Sequence, residues 1–358
     1  MVVLLLAAAG VVSGLLWDIS WDASFGRDSF WAPPHVLMNL SCVLGWCAAL
    51  GIAARATYRG EPAAVRLGIL RAPIGGGFIL WGGLATLASG ALDRWWSRAY
   101  GLATSSWPPP QVLFTAGVGA MLIGVLVCAA SDRNRRRPHA RFVLLAAALL
   151  LAFSTIATGQ YSLPNLQRTA LFYAVSCAVY PGLLVAMGQA TPWGATRTAL
   201  LYMTMIGAAI WILPLLPAEP LVGPVYQHIE RMIPPRFPLL LVVPAVALDA
   251  LGRLRPGNRL RSDVLVAALL GIAFAATFIA VQWPFAAFLL SPASDNRFFA
   301  GGGRYWPVYA NVGDERTLFW GQEESPLTMA ALLECTGLAI ATASFGMAAG
   351  RWMGRLRR

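Results

Sequence analysis

Three side chains of the types that bind metals or move protons lie close together in the segment WDISWDASFGRDSFWAPPH, residues 17–35. Asp18 and Asp22 are four positions apart, so on a helix they share one face. His35 follows after a turn-forming stretch that ends in Pro33-Pro34. Two carboxylates and an imidazole are the donor set of a divalent-metal site with open positions, or of a proton-transfer site. Such a set suits Zn, Fe or Mn better than Cu(I), which prefers softer ligands. The same residues can also form a metal-free ion-pair cluster, in which Asp18, Asp22 and Asp28 meet Arg27, Arg94 or Arg98. A second imidazole and carboxylate, His228 and Glu230, occur in PVYQHIERMIPP, and Glu334 stands alone in the apolar run LTMAALLECTGLAI. An ionisable group inside a hydrocarbon-spanning helix is a functional candidate by default.

The elements that must position these residues are membrane helices. Hydrophobic residues make up 58% of the 358 and charged residues 12%, against about 25% charged in a soluble domain. A helix needs about 20 apolar residues to cross a bilayer. Ten runs qualify or nearly do: 1–17, 36–54, 73–92, 111–130, 142–159, 169–189, 198–216, 237–252, 264–290 and 327–350. The eighth is short and the ninth contains Pro284. The opening run could serve as a signal-peptide core, but it lacks a basic leader and a small-residue cleavage site, so it is read as the first span.

Arginine supplies every one of the 27 cations, and 18 of them fall in alternate connections: 55–72, 131–141, 190–197, 253–263 and the tail after 350. That bias marks the cytoplasmic face. The expected fold is therefore an all-α, polytopic integral membrane helix bundle of about ten transmembrane helices with both termini cytoplasmic. The expected setting is the bacterial cytoplasmic (inner) membrane. The net charge of +11 then calls for anionic lipid, not nucleic acid. The other face is rich in Trp, Tyr, Pro and acids; Trp17, Trp21, Trp31, Trp95, Trp96 and Trp107 fit an interfacial belt. Its last segment, 291–326, is long enough to cover the bundle. Asp249, near the inner end of the eighth run, is expected to pair with Arg253. The five cysteines sit in apolar runs with no metal-ligand or disulfide spacing.

The chemical segment returns in reduced form at 92–111, LDRWWSRAYGLATSSWPPPQ. Asp18 aligns with Asp93, Trp21 with Trp96, Phe25 with Tyr100, Gly26 with Gly101, and Pro33-Pro34 with Pro109-Pro110. Ser97 replaces Asp22 and Gln111 replaces His35. The unit is a helical hairpin of about 75 residues, covering 1–72 and then 73–141, followed by six further spans in 142–358. All belong to one transmembrane domain, 1–358. In each copy the glycine permits a bend and the proline pair starts the next helix.

The order Asp18, three residues, Asp22, twelve residues, His35, with Arg27-Asp28 and Pro33-Pro34 between, resembles the metal-binding segment in one of the integral-membrane subunits of the particulate methane and ammonia monooxygenases. The family's first His is Asp22 here. The resemblance covers about 20 residues. It implies copper or zinc at the periplasmic edge of a membrane helix, in a complex that oxidises small hydrophobic molecules, or a degenerate relative that keeps the fold alone; with the donor set, the expected cofactor is a divalent metal (Zn, Fe, Mn or Cu). Other readings stay open: a transporter or channel for a small solute, with Glu334 on its path, and a structural or assembly subunit with homo-oligomeric or membrane-complex partners. HExxH, GxSxG, P-loop and Rossmann glycine patterns are absent from the sequence.

Overall fold

The computed structural model describes residues 1–26, 31–61, 64–101, 107–131, 138–220, 229–253, 260–301, 319 and 321–356. These form eleven α-helices: α1 (Val2–Phe25), α2 (Pro33–Arg59), α3 (Ile74–Tyr100), α4 (Pro109–Ser131), α5 (Pro138–Ala157), α6 (Ala170–Ala190), α7 (Gly194–Ile212), α8 (Val242–Gly252), α9 (Leu260–Leu290), α10 (Gly321–Glu324) and α11 (Met329–Leu356). Among the described residues nine of these are long and apolar enough to cross a membrane. Large apolar side chains face outward along them, including Leu6 at 61%, Leu265 at 65% and Phe345 at 72% exposure. Water would not tolerate such a surface; hydrocarbon requires it. The chain is an all-helical bundle of the multi-pass membrane type.

The chain divides into two compact units, Met1–Phe153 with the last residues Leu356–Arg358, and Ser154–Arg355. In the first unit, α3 and α4 pack antiparallel with almost no side chain between them. A Cβ built on Gly82 would lie 2.5 Å from the Gly117 carbonyl oxygen and 2.5 Å from the Met121 nitrogen. One built on Gly124 would lie 2.6 Å from the Gly75 carbonyl oxygen. Gly75 and Gly82, like Gly117 and Gly124, are seven residues apart, so each pair stacks along one helix face. Small residues of this kind let membrane helices approach backbone to backbone.

A short antiparallel hairpin, β1 (Val65–Leu67) and β2 (Leu70–Ala72), occupies the α2–α3 connection. It turns through Gly68 at φ 62 and Ile69. Arginine content alone reads this stretch as a cytoplasmic connection, but a two-residue turn containing glycine between apolar residues is a hairpin signal.

The second unit holds the main departure from the expected spans. Hydropathy makes 237–252 one helix. The helix starts only at Val242, and 232–240 is non-helical. Pro234, Pro235 and Pro238 explain this, since each removes an N–H and blocks the preceding turn. The non-helical chain is nevertheless buried: Met232, Leu239 and Leu241 are 4% exposed or less. Its amides find side-chain acceptors. The Leu239 N–H donates to the Tyr202 hydroxyl at 3.0 Å, and the Leu240 N–H donates to Gln282 Oε1 at 3.0 Å. Gln282 Nε2 in turn donates to Gln167 Oε1 at 2.7 Å, and Gln167 Nε2 to the Ser162 carbonyl at 2.9 Å. Gln282 lies eight residues before the C-terminal end of α9, about 12 Å along the axis. The eighth segment is thus half irregular chain and half helix.

Candidate functional site

The C-terminal end of α1 and the N-terminal end of α2 hold the described residues of the segment singled out at 17–35. The helix α1 does not stop where its apolar run stops, because Asp18, Ser20, Asp22 and Ser24 carry no backbone breaker. It ends at Gly26, whose φ of 82 and ψ of −155 take the chain out of the helix, with the Gly26 N–H bonded to the Asp22 carbonyl at 3.1 Å. Asp18 and Asp22 therefore stand on the last two turns of α1, not in the loop beyond it. Ala32 precedes α2 and Pro33-Pro34 form its first turn. That fixes His35 as the third residue of α2, facing back toward α1.

His35 Nε2 comes to 3.1 Å from Asp18 Oδ1, with both side chains about three-quarters buried, at 30% and 21% exposure. Asp18 Oδ1 is itself fully covered and accepts no hydrogen bond. The contact thus has the distance of an ion pair without the alignment of a hydrogen bond. Two indole N–H groups close to Asp18 in the chain, Trp17 Nε1 and Trp21 Nε1, are also buried without a partner. The rings form a ladder on α1: Trp17 meets Trp21 edge-on at 6.3 Å, and Trp21 stacks on Phe25 at 4.2 Å.

Asp22 is exposed. Among the described residues no three His, Cys, Asp or Glu side chains converge as a metal-sized group. The structure thus brings together Asp18 and His35 and, among the described residues, adds no third carboxylate or imidazole to them. Arg27, Asp28 and His228 lie outside the described residues. Arg94 and Arg98 make no ion pair with Asp18, whose charged partner among the described residues is His35. Glu230 belongs to the second unit and is exposed; its carbonyl accepts the Ala218 N–H at 3.1 Å in a short antiparallel pairing with 216–218.

Glu334 sits in the second turn of α11, exposed and, among the described residues, without a hydrogen bond or ion pair. It faces out of the unit.

The expected Asp249–Arg253 pair is replaced by something else. Asp249 is 5% exposed. Its Oδ2 accepts from the Thr196 N–H at 2.8 Å and the Thr196 hydroxyl at 2.7 Å, and its Oδ1 accepts from the Ala195 N–H at 3.4 Å. It caps the start of α7 from another helix, because Trp193, the residue at the cap position, has no side-chain acceptor to offer. Asp249→Ala is expected to lower stability by about 2 kcal/mol, read as a fall in the apparent melting temperature in detergent. Asp249→Asn keeps an acceptor and should lose less; equal losses would contradict the capping role.

The chain matches no family model, and neither curated proteins nor solved structures give a match. Its site is therefore described by its own residues.

Proposed function

We propose that this is a multi-pass protein of the bacterial cytoplasmic membrane carrying a divalent-metal site at the extracytoplasmic edge of α1 and α2, related to or degenerate from membrane metal monooxygenase subunits. The observation that carries the reading is the approach of His35 Nε2 to a covered Asp18 Oδ1 that accepts no hydrogen bond. Two ligands each about 2.0–2.1 Å from one tetrahedral zinc stand about 3.3 Å apart, close to the separation found. Asp22, one turn along α1, is the nearest further carboxylate in sequence. A metal held there would act as a Lewis acid on water or a small ligand. Asp18 would supply charge and His35 a neutral donor, while the Trp17 and Trp21 indoles limit access and offer N–H donors to whatever the metal binds.

The second hairpin, α3–α4, is read as a ligand-poor copy of the first. Both hairpins bend at a glycine of nearly equal dihedrals, Gly26 at φ 82, ψ −155 and Gly101 at φ 81, ψ −164. Both also place an aromatic pair one turn apart before that bend, Trp21–Phe25 and Trp96–Tyr100.

Metal analysis of the purified chain is the test. The wild type should carry about one divalent ion per chain, and Asp18→Asn and His35→Ala should each weaken retention roughly 10–100-fold. Equal and negligible metal in all three proteins would end the proposal.

One observation favours a second reading, a transporter for a small solute. Irregular backbone at membrane depth is tolerated only where protein buries it or a cavity lines it, and broken spans of this kind are how many transporters build their sites. The buried segment 232–240 has that character. Flux of a solute into proteoliposomes by a wild-type chain that retains no metal would favour it over the metal reading.

A further inference from the structure

The hairpin β1–β2 sets two arginines in direct opposition. Its register pairs Val65 with Ala72, Arg66 with Arg71 and Leu67 with Leu70. Residues directly opposite share a face, with Cβ atoms about 4.5–5.5 Å apart, and like charges placed there destabilise the pair. Both arginines are exposed, and among the described residues no carboxylate pairs with either. Glu61, the acid of the 55–72 connection, makes no ion pair with them. Arg66 Nε donates to the Gly68 carbonyl at 3.2 Å, which holds that guanidinium over the turn and leaves its terminal N–H groups open.

The other face of the hairpin is apolar and anchored. Ala72 is 1% exposed, and a Cβ built on Gly77, the fourth residue of α3, would meet Leu67 Cδ1 at 3.4 Å. The Arg71 N–H donates to the Thr57 hydroxyl at 2.7 Å, in the last turn of α2. These contacts set the hairpin beside the terminal turns of both helices, not beyond them. Both helices are long and apolar enough to cross a membrane, so their ends fall where a bilayer has its headgroups. Ile74, Gly77, Phe78 and Trp81 share one face of α3 by their spacing. Ile74, Phe78 and Trp81 are exposed on it, and Leu67 lies against it at Gly77. At the turn, Ile69 is 93% exposed. An apolar tip and an unneutralised arginine pair thus stand together on the edge of the bundle that faces lipid.

We propose that this hairpin is a membrane-surface clamp. Ile69 enters the headgroup layer, and Arg66 and Arg71 together hold the phosphate of an anionic lipid. Guanidinium groups match phosphate oxygens in bidentate fashion, and one anion between two opposed cations replaces their repulsion with attraction. The connection belongs to the arginine-rich side of the sequence pattern, where basic residues next to membrane helices recognise anionic lipid. The inference does not depend on the metal reading, since Asp18 and His35 meet at the other end of α2.

The full-length protein is placed in phosphatidylcholine nanodiscs with or without phosphatidylglycerol, and hydrogen exchange is followed across 64–72. In the wild type, phosphatidylglycerol should slow exchange of the hairpin amides roughly fivefold or more. Arg66→Gln combined with Arg71→Gln should abolish that slowing, and Ile69→Asn should reduce it. Arg197→Gln combined with Arg355→Gln removes two exposed arginines of the second unit instead and should leave the slowing intact. In neutral detergent the Arg66/Arg71 variant should melt no lower than the wild type, because it relieves a like-charge pair. Exchange that ignores the lipid, or equal loss in the two double variants, overturns the proposal. A lower melting temperature of the Arg66/Arg71 variant in detergent also overturns it, since the arginines would then hold the hairpin without lipid. Slowing reproduced by millimolar inorganic phosphate in phosphatidylcholine alone would assign the anion to a soluble compound and overturn the lipid as occupant.

Discussion

Gly117→Leu is expected to separate α3 from α4 and to leave little folded protein. The Cβ of any side chain at 117 would stand 2.6 Å from the Thr86 hydroxyl oxygen, 2.7 Å from the Thr86 nitrogen and 2.9 Å from the Gly82 carbonyl oxygen. Most of the obstruction is backbone, so rotamer changes cannot relieve it and the helices themselves must part. Even Gly117→Ala should cost about 3 kcal/mol, the upper end for overpacking, and leucine more. Gly51→Leu on α2 is the control, because a Cβ there meets nothing within 4 Å and a surface change of this kind stays within about 0.5 kcal/mol. Apparent melting in detergent, followed by loss of the monodisperse peak after heating, reads both. Matching profiles for the two variants would show that the close approach of α3 and α4 contributes nothing.

The second large effect is expected from Gln282→Leu. The substitution removes an acceptor from the Leu240 N–H and a donor from Gln167 Oε1, both inside the second unit. Each buried group left unpaired costs about 1–3 kcal/mol, and Gln167 and Gln282 are 2% exposed or less, so water does not readily replace the lost partner. A loss of about 3–5 kcal/mol follows from the two groups together, along with faster proteolysis within 229–241. Gln282→Glu keeps the acceptor for Leu240 and should fall between the two. A leucine variant as stable as the wild type would mean that the irregular segment is held by packing alone.

Much of this architecture could be read from residue order because apolar length and helix-breaking residues act locally. The proline pairs start α2 and α4 at Pro33 and Pro109, as their fixed φ and missing N–H dictate. The ends of α1 and α3 were less legible. Apolar character fades at Trp17 and near Leu92, but helix continues to Phe25 and Tyr100, since a polar side chain does not end a helix whereas the following glycine does. The failure at 237–252 has the opposite cause. Hydrophobicity continued through Leu239–Leu241, while the backbone answered to Pro234, Pro235 and Pro238. Composition could locate that segment, but only the fold could show which side chains take its amides. Asp249 is the same case, because a cap donated from another helix leaves no local spacing to detect. Between α1 and α2, the i, i+4 spacing placed Asp18 and Asp22 on one helix, yet burial separates them: Asp18 faces His35 and Asp22 is exposed.

The divided eighth segment has a consequence for how the chain is made. The helix α8 has 11 residues, about 16 Å of rise against a hydrocarbon thickness near 30 Å. Such a piece has too few apolar residues to leave the translocon for lipid by itself, and the irregular stretch before it carries amides that lipid cannot accept. The acceptor of the Leu240 amide, Gln282, belongs to a helix that the ribosome has yet to synthesise, whereas that of Leu239, Tyr202, lies on the earlier α7. The Leu240 amide therefore stays without its native acceptor until α9 has been made.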